Sequence, residues 1–172
     1  MIMRILVTGG TGLIGSNLVS ELMKENHEVL ITGHDAEVKL TNFKGKYLQP
    51  SFIGLDWHSI GKIDVLYHQA AINDTTLMDK IEMFRANVES SDELFHYAIE
   101  QGCKRIVYAS STAVYGNEPA PYKEGITRLH PLNPYAESKV ALEELAVEYS
   151  DLHPEVTIVG LRYCNVYGSG EG

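Results

Sequence analysis

The sequence has little cysteine, no excess of basic charge and no clustering of histidine, and each shortage excludes a class of protein. Its two cysteines, Cys103 and Cys164, lie far apart in apolar surroundings, which predicts two buried, reduced thiols and no disulfide. Lys and Arg total 14 against 23 Asp and Glu, and the formal net charge of -9 argues against nucleic acid or an anionic membrane surface as a partner. The seven histidines are scattered, so we expect no metal site.

Long apolar runs are also missing. No stretch approaches the roughly 20 apolar residues of a membrane span. The amino terminus lacks the long apolar core and small-residue cleavage site of a signal peptide, so we expect a cytoplasmic protein. The 172 residues, of which 44% are hydrophobic and 22% charged, are enough for one globular domain with a good core.

Short apolar, β-rich runs alternate with helical patterns along the chain. The predicted strands are 5–7, 29–31, 51–55, 65–67, 105–109 and 156–161, and the predicted helices are 13–25, 78–100 and 133–149. The segments 33–50 and 116–132 are less regular and are interpreted as loops, the first with a short helix. Strands that alternate with helices and are buried on both faces predict an α/β fold, a Rossmann-type doubly wound parallel sheet with helices on both faces.

Glycines crowd the turn between the first predicted strand and the first predicted helix. Gly10, Gly12 and Gly15 fit the dinucleotide-binding pattern G-x-G-x-x-G, and Gly9 offers a second spacing of the same kind. Glycine permits the tight turn and lets the backbone approach a pyrophosphate, whose negative charge is favoured by the amides and dipole of the helix. We therefore predict that residues 9–15 bind the pyrophosphate of a dinucleotide.

Gly33 stands near the end of the second predicted strand, at the position where an acidic residue is expected to bind the adenosine ribose. Asp35 lies close by, about 20 residues after the last glycine of the turn, and is a candidate for that role. His34 and Lys39 are instead candidates to meet a 2′-phosphate, and all three residues also fit a solvated loop. The choice between NAD and NADP stays open, with a slight preference for NADP.

Further cofactor-side candidates follow the other predicted strands. Asp56, with its neighbour Trp57, follows the third strand, and Asp56 either accepts a hydrogen bond from the adenine amino group or caps a turn. Asn87 is a poor helix former in mid-helix, so it either reaches the loops below the nicotinamide or lies on the surface. Small residues after the fourth strand would let the backbone pass close to the cofactor, in the run Gln69, Ala70 and Ala71.

A candidate catalytic group combines hydroxyls with a lysine. Tyr135 and Lys139 have an i, i+4 spacing at the start of a predicted helix, which places both side chains on one face. A lysine ammonium beside a phenol favours the phenolate, which makes Tyr135 a plausible base. Ser110 and Ser111 follow the fifth strand, at the carboxyl edge where open α/β sheets bind ligands. A hydroxyl at that edge can hydrogen-bond a substrate oxygen together with Tyr135.

With these motifs in order, the chain resembles the extended short-chain dehydrogenase/reductase family, whose members mostly remodel nucleotide-activated sugars. The resemblance implies Ser111, Tyr135 and Lys139 as the catalytic triad, cofactor contacts from Leu13, Ile14 and 69–71, and substrate contacts from Ser111 and Asn165. It is carried by the segments 8–15 (TGGTGLIG), 108–116 (YASSTAVYG) and 161–168 (LRYCNVYG), together with Tyr135 and Lys139.

The branches of this family differ directly after the catalytic hydroxyl residue. Sugar 4,6-dehydratases carry an Asp-Glu pair there and epimerases lack it. This chain has Thr112 and Ala113, so the resemblance implies an NAD(P)-dependent nucleotide-sugar epimerase. Thr75 and Thr76, with the segment 165–168, are most similar to the ADP-glycero-manno-heptose 6-epimerase branch and next to UDP-glucose 4-epimerases. The alternatives are a dehydratase or reductase of the family, and a non-catalytic NAD(P)-binding sensor or scaffold.

Two further expectations concern the whole protein. Because the chain stops soon after the sixth predicted strand, we expect residues 1–172 to be the NAD(P)-binding domain of a longer enzyme, with a small C-terminal substrate domain beyond. The family implies a homodimer or higher homo-oligomer, with a nucleotide sugar as the small-molecule partner.

Overall fold

A single parallel sheet organises the chain. The computed structural model describes residues 2–34, 40 and 42–168, and Asp35 and Lys39 lie outside these described residues. Neighbouring strands are parallel throughout, in the order β3-β2-β1-β4-β5-β6. The strands are β1 (Arg4–Thr8), β2 (Glu28–Thr32), β3 (Lys46–Gln49), β4 (Val65–His68), β5 (Arg105–Ser111) and β6 (Thr157–Tyr163).

Helices connect the strands and cover the sheet. None of them, in the part of the chain that the structure describes, is long and apolar enough to cross a membrane. They are α1 (Leu13–Lys24), α2 (Trp57–Ile60), α3 (Lys80–Phe84), a π-helical turn (Arg85–Glu89), α4 (Ser90–Glu100), a 3-10 turn (Thr112–Tyr115) and α5 (Pro134–Leu152). The predicted Rossmann-type α/β fold is confirmed.

The core forms two apolar layers because successive strand residues point to opposite faces of the sheet. Leu6 and Leu66 belong to the layer that also contains Phe95 of α4. Val7 belongs to the opposite layer, with Val19 of α1. Burial on both faces explains why the inner strands β1, β2 and β4 appear in the sequence as continuous apolar runs rather than alternating ones.

The third strand was predicted in the wrong place. It lies at Lys46–Gln49, inside the segment interpreted as a loop, and the predicted strand 51–55 is a turn. Tyr47 packs on one core layer and Leu48 on the other, which is the alternation of a short edge strand. The apolar residues of the turn, Phe52 and Leu55, are buried against the core without extending the sheet.

The two cysteines differ in their surroundings. Cys103 is fully buried and free, as predicted. Cys164 is exposed, and the prediction of a second buried thiol was wrong. The reason is its place just after β6, where the chain leaves the sheet and none of the described apolar core residues covers it.

Candidate functional site

A cleft of about 1290 Å³ runs along the carboxyl ends of the strands. The strand order reverses between β1 and β4, and ligands of open parallel sheets bind at such a reversal. Most of the predicted site residues line this cleft, namely Gly9, Gly12, Leu13, Ile14, Gly15, His34, Gln69, Ala70, Ala71, Ser111, Tyr135, Lys139 and Asn165.

The glycine turn is packed so closely that side chains would not fit at three of its positions, Gly9, Gly10 and Gly15. A Cβ on Gly9 would lie 2.8 Å from the backbone nitrogen of Ala70, and one on Gly15 would collide with the Gly9 carbonyl. A Cβ on Gly12 would meet no described atom closer than 3.4 Å, so its space opens towards the cleft. Gly12 therefore contributes room for a ligand, while Gly9 and Gly15 permit the turn itself.

The start of α1 is suited to an anion. The helix begins after Gly12 without a capping side chain, and its first turn contains no acidic residue. The first amides of a helix have no carbonyl partner within it and carry partial positive charge. A pyrophosphate bound against Leu13 and Ile14 would satisfy them.

The buried amide of Gln69 also fits a bound cofactor. The hydroxyl of Tyr163 donates to Gln69 Oε1 at 3.0 Å, which leaves the amide nitrogen for another partner. That nitrogen is buried without a hydrogen-bond partner among the residues described. A polar atom left unpaired at the wall of a cleft is explained when a ligand acceptor binds there.

The candidate triad is assembled from β5 and α5. Ser111 ends β5, and its hydroxyl accepts a hydrogen bond from the Ala113 amide at 3.1 Å. Tyr135 lies in the first turn of α5, whose start is fixed by Asn133, the side chain of which accepts from the Ala136 amide at 2.8 Å. Lys139 follows one turn later, with its ammonium 5.7 Å from the centre of the Tyr135 ring.

Lys139 is unusual because a lysine side chain is rarely buried. It is 2% exposed, and its ammonium donates to the Ala109 carbonyl at 2.8 Å. Burial lowers the pKa of this lysine to about 8. Because this pKa still lies above neutral pH, the ammonium stays mostly protonated near Tyr135, as the predicted role in favouring the phenolate requires.

A polar cluster beneath the triad fixes α5 against the sheet. Arg162 of β6 donates to both carboxylate oxygens of Glu143 on α5, at 2.8 and 2.6 Å. The same carboxylate accepts a hydrogen bond from Ser110, next to the candidate catalytic serine. Arg162 also donates to the hydroxyl of Tyr115 at 2.6 Å. Four elements that carry or flank the triad, β5, the 3-10 turn, α5 and β6, are thus held together.

Asp56 and Trp57 do not lie at the cleft. Asp56 caps α2, accepting from the Ser59 amide at 3.3 Å, which is the second of the two alternatives. Trp57 is buried and stacks on Tyr97 with ring centres 5.7 Å apart. Both were predicted from a misplaced third strand. Because β3 ends at Gln49, the residues that follow it into the cleft are 50–53.

Asn87 lies one layer behind the cleft, neither lining it nor on the surface. It is 1% exposed within the π-helical turn. Its side chain accepts from the Ile72 amide at 2.8 Å and donates to the Ile72 carbonyl at 2.9 Å. It therefore fixes the loop after β4, which does line the cleft.

Other cleft residues were missed by the sequence reasoning. Tyr122 lines the cleft from the segment predicted as a surface loop, and its ring stacks on Tyr115 with centres 4.5 Å apart. Arg85 lines it from the π-helical turn. Neither position carries a sequence signal, because loop residues have no periodicity and a single arginine on a helix is usually a solvated surface residue.

Comparisons with known proteins agree with this geometry. Residues 5–172 match the family described as NAD dependent epimerase/dehydratase. An ADP-L-glycero-D-manno-heptose-6-epimerase of Alkalilimnicola ehrlichii is 34% identical over 177 residues, covering 97% of this chain and 54% of that protein.

Two solved structures have the same fold. The ADP-L-glycero-D-manno-heptose-6-epimerase of Helicobacter pylori is 32% identical with a TM-score of 0.83, and the match covers 99% of this chain and 57% of that one. A variant of UDP-glucuronic acid 4-epimerase from Bacillus cereus, in complex with UDP-4-deoxy-4-fluoro-glucuronic acid and NAD, is 27% identical with a TM-score of 0.87, over 98% and 59% of the two chains. The chain spans little more than half the length of these relatives.

Proposed function

The chain belongs to the NAD-dependent epimerase/dehydratase family, and from this premise we propose that it is the NAD(P)-binding domain of a nucleotide-sugar epimerase. The observation that carries the proposal is the placement of Ser111, Tyr135 and Lys139 in one cleft with the glycine turn. The reaction would oxidise a sugar hydroxyl transiently to a ketone and reduce the ketone from the opposite face.

The cofactor would be held by groups already described. The glycine turn and the first amides of α1 would bind the pyrophosphate of the cofactor. The unpaired side-chain amide of Gln69 would donate a hydrogen bond to the cofactor, and Lys139 would hold the nicotinamide ribose. When bound, NAD(P)+ supplies the hydride acceptor and, once reduced, the hydride donor.

The side chains of the triad would manage the proton. The phenolate oxygen of Tyr135 would take the proton of the sugar hydroxyl while the hydrogen on the same carbon leaves as hydride. Ser111 would orient the hydroxyl and donate a hydrogen bond to the developing ketone oxygen. Lys139 would favour the phenolate by its charge. After the hydride returns to the other face of the ketone, Tyr135 would give the proton back to the same oxygen, so that no proton or electron is gained or lost.

The residues after Ser111 favour an epimerase over a dehydratase. Thr112 donates its hydroxyl to the Tyr163 carbonyl at 3.2 Å, and Ala113 has no group able to transfer a proton. Elimination of water needs an acid and a base at the sugar, and these two positions supply neither. The chain is 34% and 32% identical to two heptose 6-epimerases and is also similar to a UDP-glucuronic acid 4-epimerase, so we propose a nucleotide-activated heptose or hexose as substrate.

The proposed preference for NADP rests on the end of β2. Gly33 brings no negative charge to the place where a 2′-phosphate would lie, and His34 lines the cleft there. Lys39, the other candidate, lies outside the described residues.

The proposal is tested with the full-length enzyme and a panel of nucleotide sugars. We expect epimer formation without net accumulation of reduced cofactor. The Tyr135→Phe variant should lose about 10²- to 10⁴-fold in kcat, because it removes the base, yet still bind the cofactor. The matched control is Tyr122→Phe, at another cleft tyrosine outside the triad.

Three results would contradict this assignment. Stoichiometric accumulation of NADH or NADPH during product formation would indicate a dehydrogenase instead of an epimerase. Unchanged sugar conversion by Tyr135→Phe would refute the role of the tyrosine, and cofactor binding with no conversion of any sugar would favour the sensor or scaffold alternative.

A further inference from the structure

His68, the last residue of β4, is buried beneath the cleft without lining it. It is 2% exposed, and the Phe52 and Phe95 rings pack edge-on against it at 4.9 and 6.2 Å. Both nitrogens of its ring are hydrogen-bonded. Nδ1 lies 2.7 Å from the hydroxyl of Thr8, and Nε2 lies 2.8 Å from the hydroxyl of Ser91.

The neighbouring groups determine which atom donates the proton in each of these hydrogen bonds. The Ser91 hydroxyl donates to the Asn87 carbonyl at 2.9 Å, so its oxygen must accept from His68 Nε2–H. A neutral imidazole has one N–H, so Nδ1 must accept the hydroxyl proton of Thr8. The Thr8 oxygen is then free to accept from the Ala70 amide at 3.3 Å.

This series of hydrogen bonds connects the two halves of the candidate site. On one side, Thr8 precedes the glycine turn and Ala70 packs against Gly9, where an added Cβ would lie 2.8 Å from the Ala70 nitrogen. On the other side, the Asn87 amide donates to the Ser138 hydroxyl at 3.1 Å, which in turn donates to the Tyr135 carbonyl at 2.7 Å. Hydrogen bonds therefore run from the wall of the cofactor cleft to the turn of α5 that carries the candidate base.

We propose that His68 is a positioning residue of this site. Its Nδ1 fixes the spacing between the glycine turn and Ala70, and its Nε2 fixes the π-helical turn that holds α5 and Tyr135. The inference rests on the proposed function for the identity of the ligand and the reaction, and on the chain's own contacts for the rest.

We call the hydrogen bonds from Ala70 through Thr8, His68 and Ser91 to the Asn87 carbonyl the relay, and its imidazole is neutral. Burial, aided by the positive charge of Lys139, lowers the pKa of His68 to about 3. A second proton on the ring would turn Nδ1 into a donor facing the hydroxyl of Thr8, and the Ala70 contact would lose its fixed direction. A neutral ring with a single arrangement of protons suits a fixed spacer.

Two substitutions at this position divide the two roles. In His68→Asn, the amide oxygen falls near the place of Nδ1 and keeps the Thr8 contact, while the Ser91 contact is lost. In His68→Gln, the amide nitrogen falls near the place of Nε2 and keeps the Ser91 contact, while the Thr8 contact is lost. In the full-length enzyme we expect the Asn variant to keep cofactor affinity and lose about tenfold in kcat, and the Gln variant to lose about tenfold in cofactor affinity and keep kcat at saturation.

Matched variants reproduce each half without touching the ring. Ser91→Ala should resemble His68→Asn, and Thr8→Val should resemble His68→Gln. Ser90→Ala, at a neighbouring hydroxyl that bonds outside the relay to the Arg85 carbonyl, should change neither constant. If all relay variants lower affinity, kcat and melting temperature together, His68 is merely structural and the inference is overturned.

A measurement on the unliganded protein separates this inference from the proposed function. With 15N-labelled histidine, the NMR signals of His68 should show a neutral ring protonated on Nε2, unchanged between about pH 5 and pH 9. A ring that titrates in this range, or one protonated on Nδ1, overturns the relay. Failure of the unsubstituted full-length enzyme to convert any sugar refutes the proposed function instead.

Discussion

Lys139 shows at the scale of one residue how a site can oppose the stability of its own fold. An ammonium that is 2% exposed loses most of its hydration, and the bond to the Ala109 carbonyl replaces only part of it. The fall of its pKa to about 8 measures this cost. In the proposed mechanism this charge favours the phenolate of Tyr135.

Replacement of Lys139 by Met should therefore stabilise the protein while abolishing turnover. The native pKa of about 8 lies below the unfolded value of about 10.4, so the unfolded state binds more protons between these two pH values. The penalty is complete below about pH 8 and is relieved as the pH rises towards 10. We expect Lys139→Met to gain on the order of 1–3 kcal/mol at pH 7, and less at pH 10, in denaturant unfolding.

The control for this experiment is Lys104→Met, at an exposed lysine. It should change neither turnover nor the pH dependence of the free energy of unfolding. A Lys139→Met variant that is less stable than the parent at pH 7 would show that the bond to Ala109 outweighs the desolvation of the charge.

Single residues were predicted well where a motif fixes their surroundings and poorly where only position along the chain was available. Ser111 and Tyr135 line the cleft because they stand at the end of a strand and the start of a helix, both of which the sequence marks. No role was predicted for His68, because a histidine at the end of an apolar strand does not indicate which hydroxyls will face it. The same limit explains Asn87, whose partner Ile72 is 15 residues away in a loop.

At the scale of elements, the glycines of the turn before α1 serve two different purposes. One permits the tight turn, and the other leaves room for a ligand. Gly15 must be glycine because a Cβ would collide with the Gly9 carbonyl. Gly12 has a φ of -75°, which any residue can adopt, and a Cβ there would stay 3.4 Å from the nearest described atom. The fold needs Gly15 to be glycine, whereas a ligand would need Gly12 to be glycine.

The Gly12→Ala substitution should then weaken dinucleotide binding without destabilising the protein. The added methyl group would occupy the space through which a pyrophosphate approaches the turn. We expect at least a tenfold loss of affinity for NAD and NADP by calorimetry, with a free energy of unfolding within about 0.5 kcal/mol of the parent.

Gly15→Ala provides the comparison, since it should lower stability and affinity together. Equal affinity of Gly12→Ala and the parent would mean that the pyrophosphate does not bind at this turn. A large loss of stability in Gly12→Ala would mean that the turn is tighter than the structure shows.

The third strand was mispredicted because buried apolar residues do not always belong to an extended strand. The apolar run 51–55 has the composition of a strand, yet its buried side chains, Phe52 and Leu55, belong to a turn. The real strand, Lys46–Gln49, has two polar ends and pairs with β2 alone, so it lacks the continuous apolar run of the inner strands. Edge strands of this kind are difficult to recognise from periodicity.

At the scale of the whole molecule, the charge of the protein and of its proposed ligand have the same sign. The net charge is -9, and a dinucleotide and a nucleotide sugar are both anions. Attraction must then come from local groups, and the described residues of the cleft offer the amides of α1, the ammonium of Lys139 and the guanidinium of Arg85. Binding that depends on a few close groups is less sensitive to salt than binding by a broad basic surface.

The proposed preference for NADP over NAD also rests on the charge of local groups. With Gly33 in place of an acid and His34 at the cleft, the end of β2 offers no described repulsion to a 2′-phosphate. Cofactor binding at 100 times Kd adds about 2.7 kcal/mol to the free energy of unfolding, which raises Tm by roughly 5–10 °C in a domain of this size. At equal concentrations we expect NADP to raise Tm more than NAD does, and His34→Ala to reduce this difference while leaving the effect of NAD unchanged. A larger effect of NAD on the parent protein would contradict the preference, and an effect of His34→Ala on both cofactors would place His34 at a part of the dinucleotide that they share.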